Sequence, residues 1–130
     1  MLHVVVIDDS AAYRMFVGYA VERHAVGEIV GEGRDGLEGL RLIQRVKPDV
    51  AVIDVHMPGM GGLELIQTLR MRSHTTTRLV AYSTSELGCQ EALRVGADAA
   101  VVKQTDPTDL LRALAVKPAG AGIRRSVSGA

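Results

Sequence analysis

The sequence predicts an α/β domain in which a parallel β-sheet is covered by helices on both faces. Short apolar runs alternate with segments of helical periodicity five times along the chain. The runs are continuously apolar rather than alternating with polar residues, as strands buried on both faces require. The length of 130 residues and the hydrophobic fraction of 47% fit one domain with a sizeable core.

The predicted strands are apolar runs that each end at a polar residue or a glycine. They cover residues 2–7, 29–30, 50–53, 79–82 and 99–102. Gly27 is interpreted as a break between the first helix and the second strand. Doubly wound sheets of this kind bind ligands beyond the carboxyl ends of their strands.

The predicted helices follow the strands and begin after capping residues. Ser10 is expected to cap the first helix, Asp35 with Gly36 the second, and Asp106 with Pro107 the fifth. The apolar positions recur at helical spacing in five segments, at 13–21, 37–46, 63–69, 87–95 and 110–114. Residues 1–116 are therefore expected to form the domain, and residues 117–130 a flexible tail or linker.

The composition excludes several classes of function. Fifteen basic and fifteen acidic residues give no net charge, which argues against binding of nucleic acid or anionic membranes by overall attraction. No apolar stretch approaches the length of about 20 residues that spans a bilayer. Cys89 is the single cysteine and cannot form an internal disulfide, so a cytoplasmic location is expected.

Polar residues at four predicted strand ends indicate the chemistry. Asp8 and Asp9 follow the first strand and Asp54 the third, while Ser83 and Lys103 follow the fourth and fifth. Any one of them alone is as well explained as a helix cap or a solvated residue. Together they are not, since four strand ends would each need the required residue type by chance. The sheet should gather them at one edge.

Crowded carboxylates repel each other unless a cation joins them, and oxygen ligands suit Mg²⁺. A carboxylate can also accept a phosphoryl group as a nucleophile. Phosphoryl transfer mainly needs positioning and neutralisation of the phosphoryl oxygens. We therefore predict that Asp54 is the phosphoacceptor, beside bound Mg²⁺, with Lys103 and Ser83 contacting the phosphoryl group.

The sequence resembles the receiver domain of two-component response regulators over about residues 2–116. The resemblance rests on VIDDS at residues 6–10, DG at 35–36, PDVAVIDVHMPGMGG at 48–62, Ser83, and GADAAVVK at 96–103. It implies a flavodoxin-like (βα)5 fold with strand order 2-1-3-4-5. It also implies that Asp8, Asp9, Asp54 and the backbone carbonyl of His56 hold Mg²⁺ or Mn²⁺, and that a sensor histidine kinase or phosphotransfer protein donates the phosphoryl group.

Several positions depart from the common receiver pattern. The loop after Ser83 is about two residues short, so Thr84 is an alternative to Ser83 as the switch hydroxyl. Ala100 stands where an aromatic residue often swings inward on activation, so that toggle is unavailable here, and Tyr82, next to Ser83, is a candidate for involvement in some other way. Gln104 follows the lysine in place of a frequent proline. The imidazole of His56 either faces solvent without a role or modulates the water that attacks the acyl phosphate.

Three functions are compatible with these residues. By resemblance, the chain is a switch rather than an enzyme on other substrates, and its α4–β5–α5 face would bind an output domain, a downstream protein or a second copy. The alternative is that it is the excised receiver of a DNA-binding regulator, without binding nucleic acid itself. A phosphatase-like enzyme is disfavoured, because its nucleophile would be expected after the first strand.

Overall fold

The computed structural model describes residues 1–115 and 124–125 of the chain. The strands are β1 Leu2–Ile7, β2 Gly27–Gly33, β3 Val50–Asp54, β4 Arg78–Ser83, β5 Ala99–Val102 and β6 Arg124–Arg125. The helices are α1 Ala11–Arg23, α2 Gly36–Val46, α3 Gly62–Met71, α4 Glu86–Arg94 and α5 Thr108–Ala115. The predicted alternation of strands and helices is confirmed.

The sheet is parallel throughout, with the order β2-β1-β3-β4-β5-β6. The predicted order 2-1-3-4-5 of the first five strands is confirmed. The two-residue β6 was not predicted, and it pairs with Ala99 and Ala100 at the edge of β5. The predicted flexible tail at 117–130 otherwise lies outside the described residues.

Alternate residues of each central strand enter two separate cores. In β1, Val5 and Ile7 belong to a cluster with residues of α2, α3 and α4. Val4 and Val6 belong to a second cluster with residues of α1 and α5. The doubly covered sheet follows from this division. Within residues 1–115, no helix is long and apolar enough to span a membrane.

The main correction to the predicted elements concerns β2, which is longer than residues 29–30. Gly27 was interpreted as a break, but it is the first residue of β2 and pairs with Leu2. A side chain at Gly27 would clash with the carbonyl oxygen of Leu2, so this glycine permits the close pairing. The predicted caps are confirmed for Ser10 and Asp35, whose side chains accept backbone hydrogen bonds from the first turns of α1 and α2.

Candidate functional site

The carboxyl edge of the sheet gathers the predicted acidic residues. Asp8 and Asp9 follow β1, and Asp54 is the last residue of β3. One carboxylate oxygen from each of the three lies within 4.8 Å of the others. Asp8 and Asp54 are buried, whereas Asp9 is exposed. The cluster therefore has two carboxylates in the protein and one at the solvent boundary.

Lys103 forms ion pairs with two of these carboxylates. Its Nζ lies 2.9 Å from Asp8 Oδ2 and 3.1 Å from Asp54 Oδ1, and it donates a hydrogen bond to the Asp54 oxygen. The side chain of Lys103 is only 4% exposed. One buried ammonium thus faces two buried carboxylates, and the local charge stays negative.

The turn between β1 and α1 fixes Asp8. Asp8 Oδ1 accepts a hydrogen bond of 2.9 Å from the backbone N–H of Ser10, whose own Oγ caps α1 by accepting from Tyr13 N at 3.3 Å. Arg14 Nη1 donates to the Asp8 carbonyl at 2.7 Å. Asp8 Oδ2 is left turned toward Lys103 and the other carboxylates.

The loop after β3 fixes Asp54. The backbone N–H of His56 lies 3.4 Å from Asp54 Oδ1 in a long hydrogen bond, while the His56 residue itself is exposed. Gly62 N donates to the Val55 carbonyl at 3.0 Å and closes the loop. A side chain at Gly62 would clash with the Asp54 carbonyl, so α3 can begin this close to the strand end only with glycine there.

The electrostatics of the site raise the pKa of Asp54 from 3.8 to about 6. Burial is the largest cause, because it disfavours the charged carboxylate, and the neighbouring Asp8 adds repulsion. The ammonium of Lys103 opposes both effects by attraction and hydrogen bonding. The site therefore holds a carboxylate at an energetic cost that one lysine does not remove.

Ser83 is the last residue of β4 and is fully buried. Its Oγ accepts a hydrogen bond from Ser85 N at 3.2 Å, and its carbonyl accepts one from Lys103 N at 2.8 Å. Thr84 is exposed, which favours Ser83 of the two hydroxyls as the inward one. Tyr82 is buried on the opposite face of β4, and burial raises the pKa of its hydroxyl well above the ordinary value.

The donor set fits a divalent cation that prefers oxygen. Although Lys103 Nζ is 2.9 Å from Asp8 Oδ2, this buried oxygen accepts no hydrogen bond from the described residues. Buried polar oxygens normally have a partner, and an absent ion is one reason for an exception. Three converging carboxylates are ligands of the kind that Mg²⁺ takes.

Sequence reasoning missed two residues at the site. Tyr13 was interpreted only as part of the apolar face of α1, but its ring lies 3.9 Å from Lys103 Nζ. Gly88 was interpreted only as part of the loop that follows Ser83, yet a side chain there would clash with Ser83 Oγ. The close spacing of Tyr13 to the Asp8–Asp9 pair was the available signal. Nothing in the sequence indicated the contact between Gly88 and Ser83.

Comparison with known proteins supports the resemblance to receiver domains. A family model described as the response regulator receiver domain matches residues 4–115. The nitrate/nitrite response regulator protein NarL of Escherichia coli (strain K12) is 36% identical over 119 residues, which are 90% of this chain and 55% of that protein. A protein-glutamate methylesterase/protein-glutamine glutaminase of Geobacillus kaustophilus is 36% identical over 112 residues, which are 84% of this chain and 32% of that protein. The chain thus spans about half or less of these relatives.

Solved structures of similar fold include receiver domains as well. The signal receiver domain of the putative response regulator NarL from Mycobacterium tuberculosis superposes with a TM-score of 0.80 at 32% identity, over 87% of this chain and 92% of that one. The family model covers nearly all of the residues that form the sheet and its helices. The chain therefore belongs to the response regulator receiver domain family, whose members act in two-component, phosphorylation-based signalling.

Proposed function

We propose that the chain is a phosphorylation-controlled switch that accepts a phosphoryl group on Asp54. The observation that carries this proposal is the buried ammonium of Lys103, 2.9 Å from Asp8 and 3.1 Å from Asp54, beside a cluster of three carboxylates. Phosphoryl transfer depends on positioning and on neutralising the charge of the phosphoryl oxygens. A nucleophilic carboxylate next to a fixed cation supplies both.

The donor would be a phosphohistidine on a sensor histidine kinase or phosphotransfer protein. An Asp54 oxygen attacks phosphorus, a new O–P bond forms, and the P–N bond to the imidazole breaks. The electron pair of that bond stays on the imidazole nitrogen of the donor. Lys103 and the Ser83 hydroxyl then contact the phosphoryl oxygens, and hydrolysis of the acyl phosphate by water resets the switch.

Mg²⁺, or Mn²⁺ in its place, would be held by Asp8, Asp9, Asp54 and the backbone carbonyl of His56. Support comes from the three converging carboxylates beside the ammonium of Lys103, and from the raised pKa of Asp54, which is caused mainly by burial and next by repulsion from Asp8. When bound, the ion supplies positive charge to the phosphoryl oxygens. The Asp8 contact with the Ser10 amide keeps one ligand oriented in advance.

The signal would leave through the α4–β5–α5 face, which we expect to bind an output domain, a downstream protein or a second copy of the chain. As an alternative, we propose that the chain is the receiver of a longer regulator with a DNA-binding output; its coverage of only 55% of NarL agrees with a longer protein. We retain residues 1–116 as the receiver and 117–130 as its tail or linker. The sequence that surrounds this chain in its gene would distinguish these outputs.

Incubation with acetyl phosphate and Mg²⁺, followed by intact-mass measurement, tests the central claim. We expect the wild type to gain the mass of one phosphoryl group and Asp54→Ala to gain none. Asp49→Ala is the matched control, because Asp49 is an exposed carboxylate that immediately precedes β3, at the opposite end of the strand from Asp54. No gain in the wild type, or an undiminished gain in Asp54→Ala, would contradict the proposal.

Sedimentation velocity tests the output by self-association. The protein is compared with and without beryllofluoride and Mg²⁺, which together mimic the phosphorylated state. We expect a larger sedimentation coefficient with beryllofluoride if the signal drives dimerisation. If acetyl phosphate phosphorylates the protein but beryllofluoride leaves the sedimentation coefficient unchanged, the output is binding of a different protein and not self-association.

A further inference from the structure

The ammonium of Lys103 lies against aromatic rings as well as carboxylates. Its Nζ is 3.9 Å from the centroid of the Tyr13 ring and 5.4 Å from that of Tyr82. The two rings meet edge to face, with centroids 6.1 Å apart and an angle of 84°. An ammonium within about 6 Å of a ring centroid is attracted to the ring face, more strongly when it is shielded from water. Lys103 meets both conditions.

The backbone that holds the carboxylates also holds the Tyr13 ring. Tyr13 N donates to Ser10 Oγ, and Ser10 N donates to Asp8 Oδ1. Asp8 and Tyr13 are therefore fixed to each other through one capped turn. Tyr82 lies in the central strand β4 and packs its ring against that of Tyr13, which limits the positions that the Tyr13 ring can adopt.

The ring contact gains importance when a cation binds. Asp8 and Asp54 hold Lys103 in the described structure, yet both are also the expected ligands of a divalent ion. Such an ion would share their charge and repel the ammonium. The attraction of an uncharged ring is not shared in this way. Without it, the flexible four-carbon stem of Lys103 would be freer to turn toward solvent.

We propose that Tyr13 is a positioning residue, whose ring holds the Lys103 ammonium at the phosphoryl site while a divalent cation occupies the carboxylates. The edge-to-face contact with Tyr82 restricts the position of the Tyr13 ring. The proposal rests on the proposed function, since it assigns Lys103 a role toward the phosphoryl group. It concerns the ring and not the hydroxyl of Tyr13, so phenylalanine should replace tyrosine without loss.

Proton NMR of the Lys103 side chain tests the placement without any phosphorylation. A ring face shifts nearby protons upfield, so the ε-methylene signals of Lys103 should be upfield of those of exposed lysines in the wild type and in Tyr13→Phe. They should move toward the ordinary position in Tyr13→Leu, both with and without Mg²⁺. Tyr19→Leu is the matched control, because Tyr19 is on the same helix and exposed. Urea unfolding of each variant verifies that the domain is folded.

Acetyl phosphate supplies the second readout. We expect Tyr13→Leu to be phosphorylated more slowly by between about twofold and thirtyfold, the range that cation–π energies imply, and Tyr13→Phe and Tyr19→Leu to keep the wild-type rate. Ordinary lysine shifts for Lys103 in the wild type with Mg²⁺, or a wild-type rate in Tyr13→Leu, would overturn the proposal. If the wild type accepts no phosphoryl group, the proposed function fails, while the NMR signals still decide where Tyr13 holds Lys103.

Discussion

Replacing Asp54 with asparagine should stabilise the fold at neutral pH in the absence of divalent ions. The folded protein raises the pKa of Asp54 from 3.8 to about 6, because the carboxyl is buried and lies near Asp8. A raised folded-state pKa means that protonation favours the fold. The contribution of Asp54 is thus most favourable below pH 3.8 and is lost as the pH rises through about 6. Asparagine has the same shape and carries no charge.

The interval between pKa 3.8 and about 6 corresponds to about 2–3 kcal/mol at neutral pH. The pKa of about 6 already includes the attraction and the hydrogen bond of Lys103, so the loss of that hydrogen bond in Asp54→Asn is not subtracted a second time. Lys103 keeps its contact with Asp8, so no buried ammonium is left alone. We therefore expect a gain of about 2 kcal/mol in the free energy of unfolding at pH 7.

Urea unfolding of the wild type and Asp54→Asn in EDTA, at pH 4 and at pH 7, measures this difference. The gap should be small at pH 4 and approach its full size at pH 7. Asp49→Asn is the matched control, since Asp49 is exposed, and it should not stabilise the fold. Adding Mg²⁺ should raise the stability of the wild type more than that of Asp54→Asn. Equal stabilities of wild type and Asp54→Asn at pH 7 in EDTA would refute the reasoning.

Three further changes test other contacts. Gly88→Ala should lower the free energy of unfolding by about 1–3 kcal/mol, because the added methyl overlaps Ser83 Oγ; urea unfolding measures it, and unchanged stability would contradict the packing. Lys103→Met should raise the pKa of Asp54 above its wild-type value, because a nearby positive charge is lost; carboxyl ¹³C NMR in EDTA checks this, and a lowered pKa would contradict it. His56→Asn should leave the affinity for Mg²⁺ unchanged, since the expected ligand is the backbone carbonyl; calorimetry checks this, and the acyl-phosphate lifetime of the same variant shows whether the imidazole acts on water.

The strands were predictable because a parallel sheet buried on both faces demands continuous apolar runs, and four of the five runs are unambiguous. The second strand was predicted too short for a physical reason. β2 is rich in glycine and carries exposed Glu28 and Glu32, so its composition resembles a loop. Its pairing with β1, which Gly27 permits by lying close to Leu2 without a side chain, is a tertiary feature that local sequence does not contain.

The strand-end residues of the candidate site were predictable, because the topology of a parallel sheet brings the carboxyl ends of its strands together. Asp8, Asp54 and Lys103 meet as the strand-end argument requires. Tyr13 has helical spacing and a bulky ring, so the apolar face of α1 explained it fully in the sequence. Its contact with Lys103 joins residues far apart in the chain and depends on side-chain directions, which periodicity does not provide.

The packing of α4 against Ser83 indicates how a movement of Ser83 would reach the surface of the domain. An aromatic residue often occupies the position three before the matching lysine in receivers, but here that position is Ala100, buried in the core with Cys89 and Ala92 of α4. A methyl group has no side-chain rotation that could report a movement of the hydroxyl. Gly88 of the same helix lies so close to Ser83 Oγ that no side chain fits between them. Movement of Ser83 toward a phosphoryl group would therefore open a gap beside the α4 backbone, and we expect α4 itself to respond first.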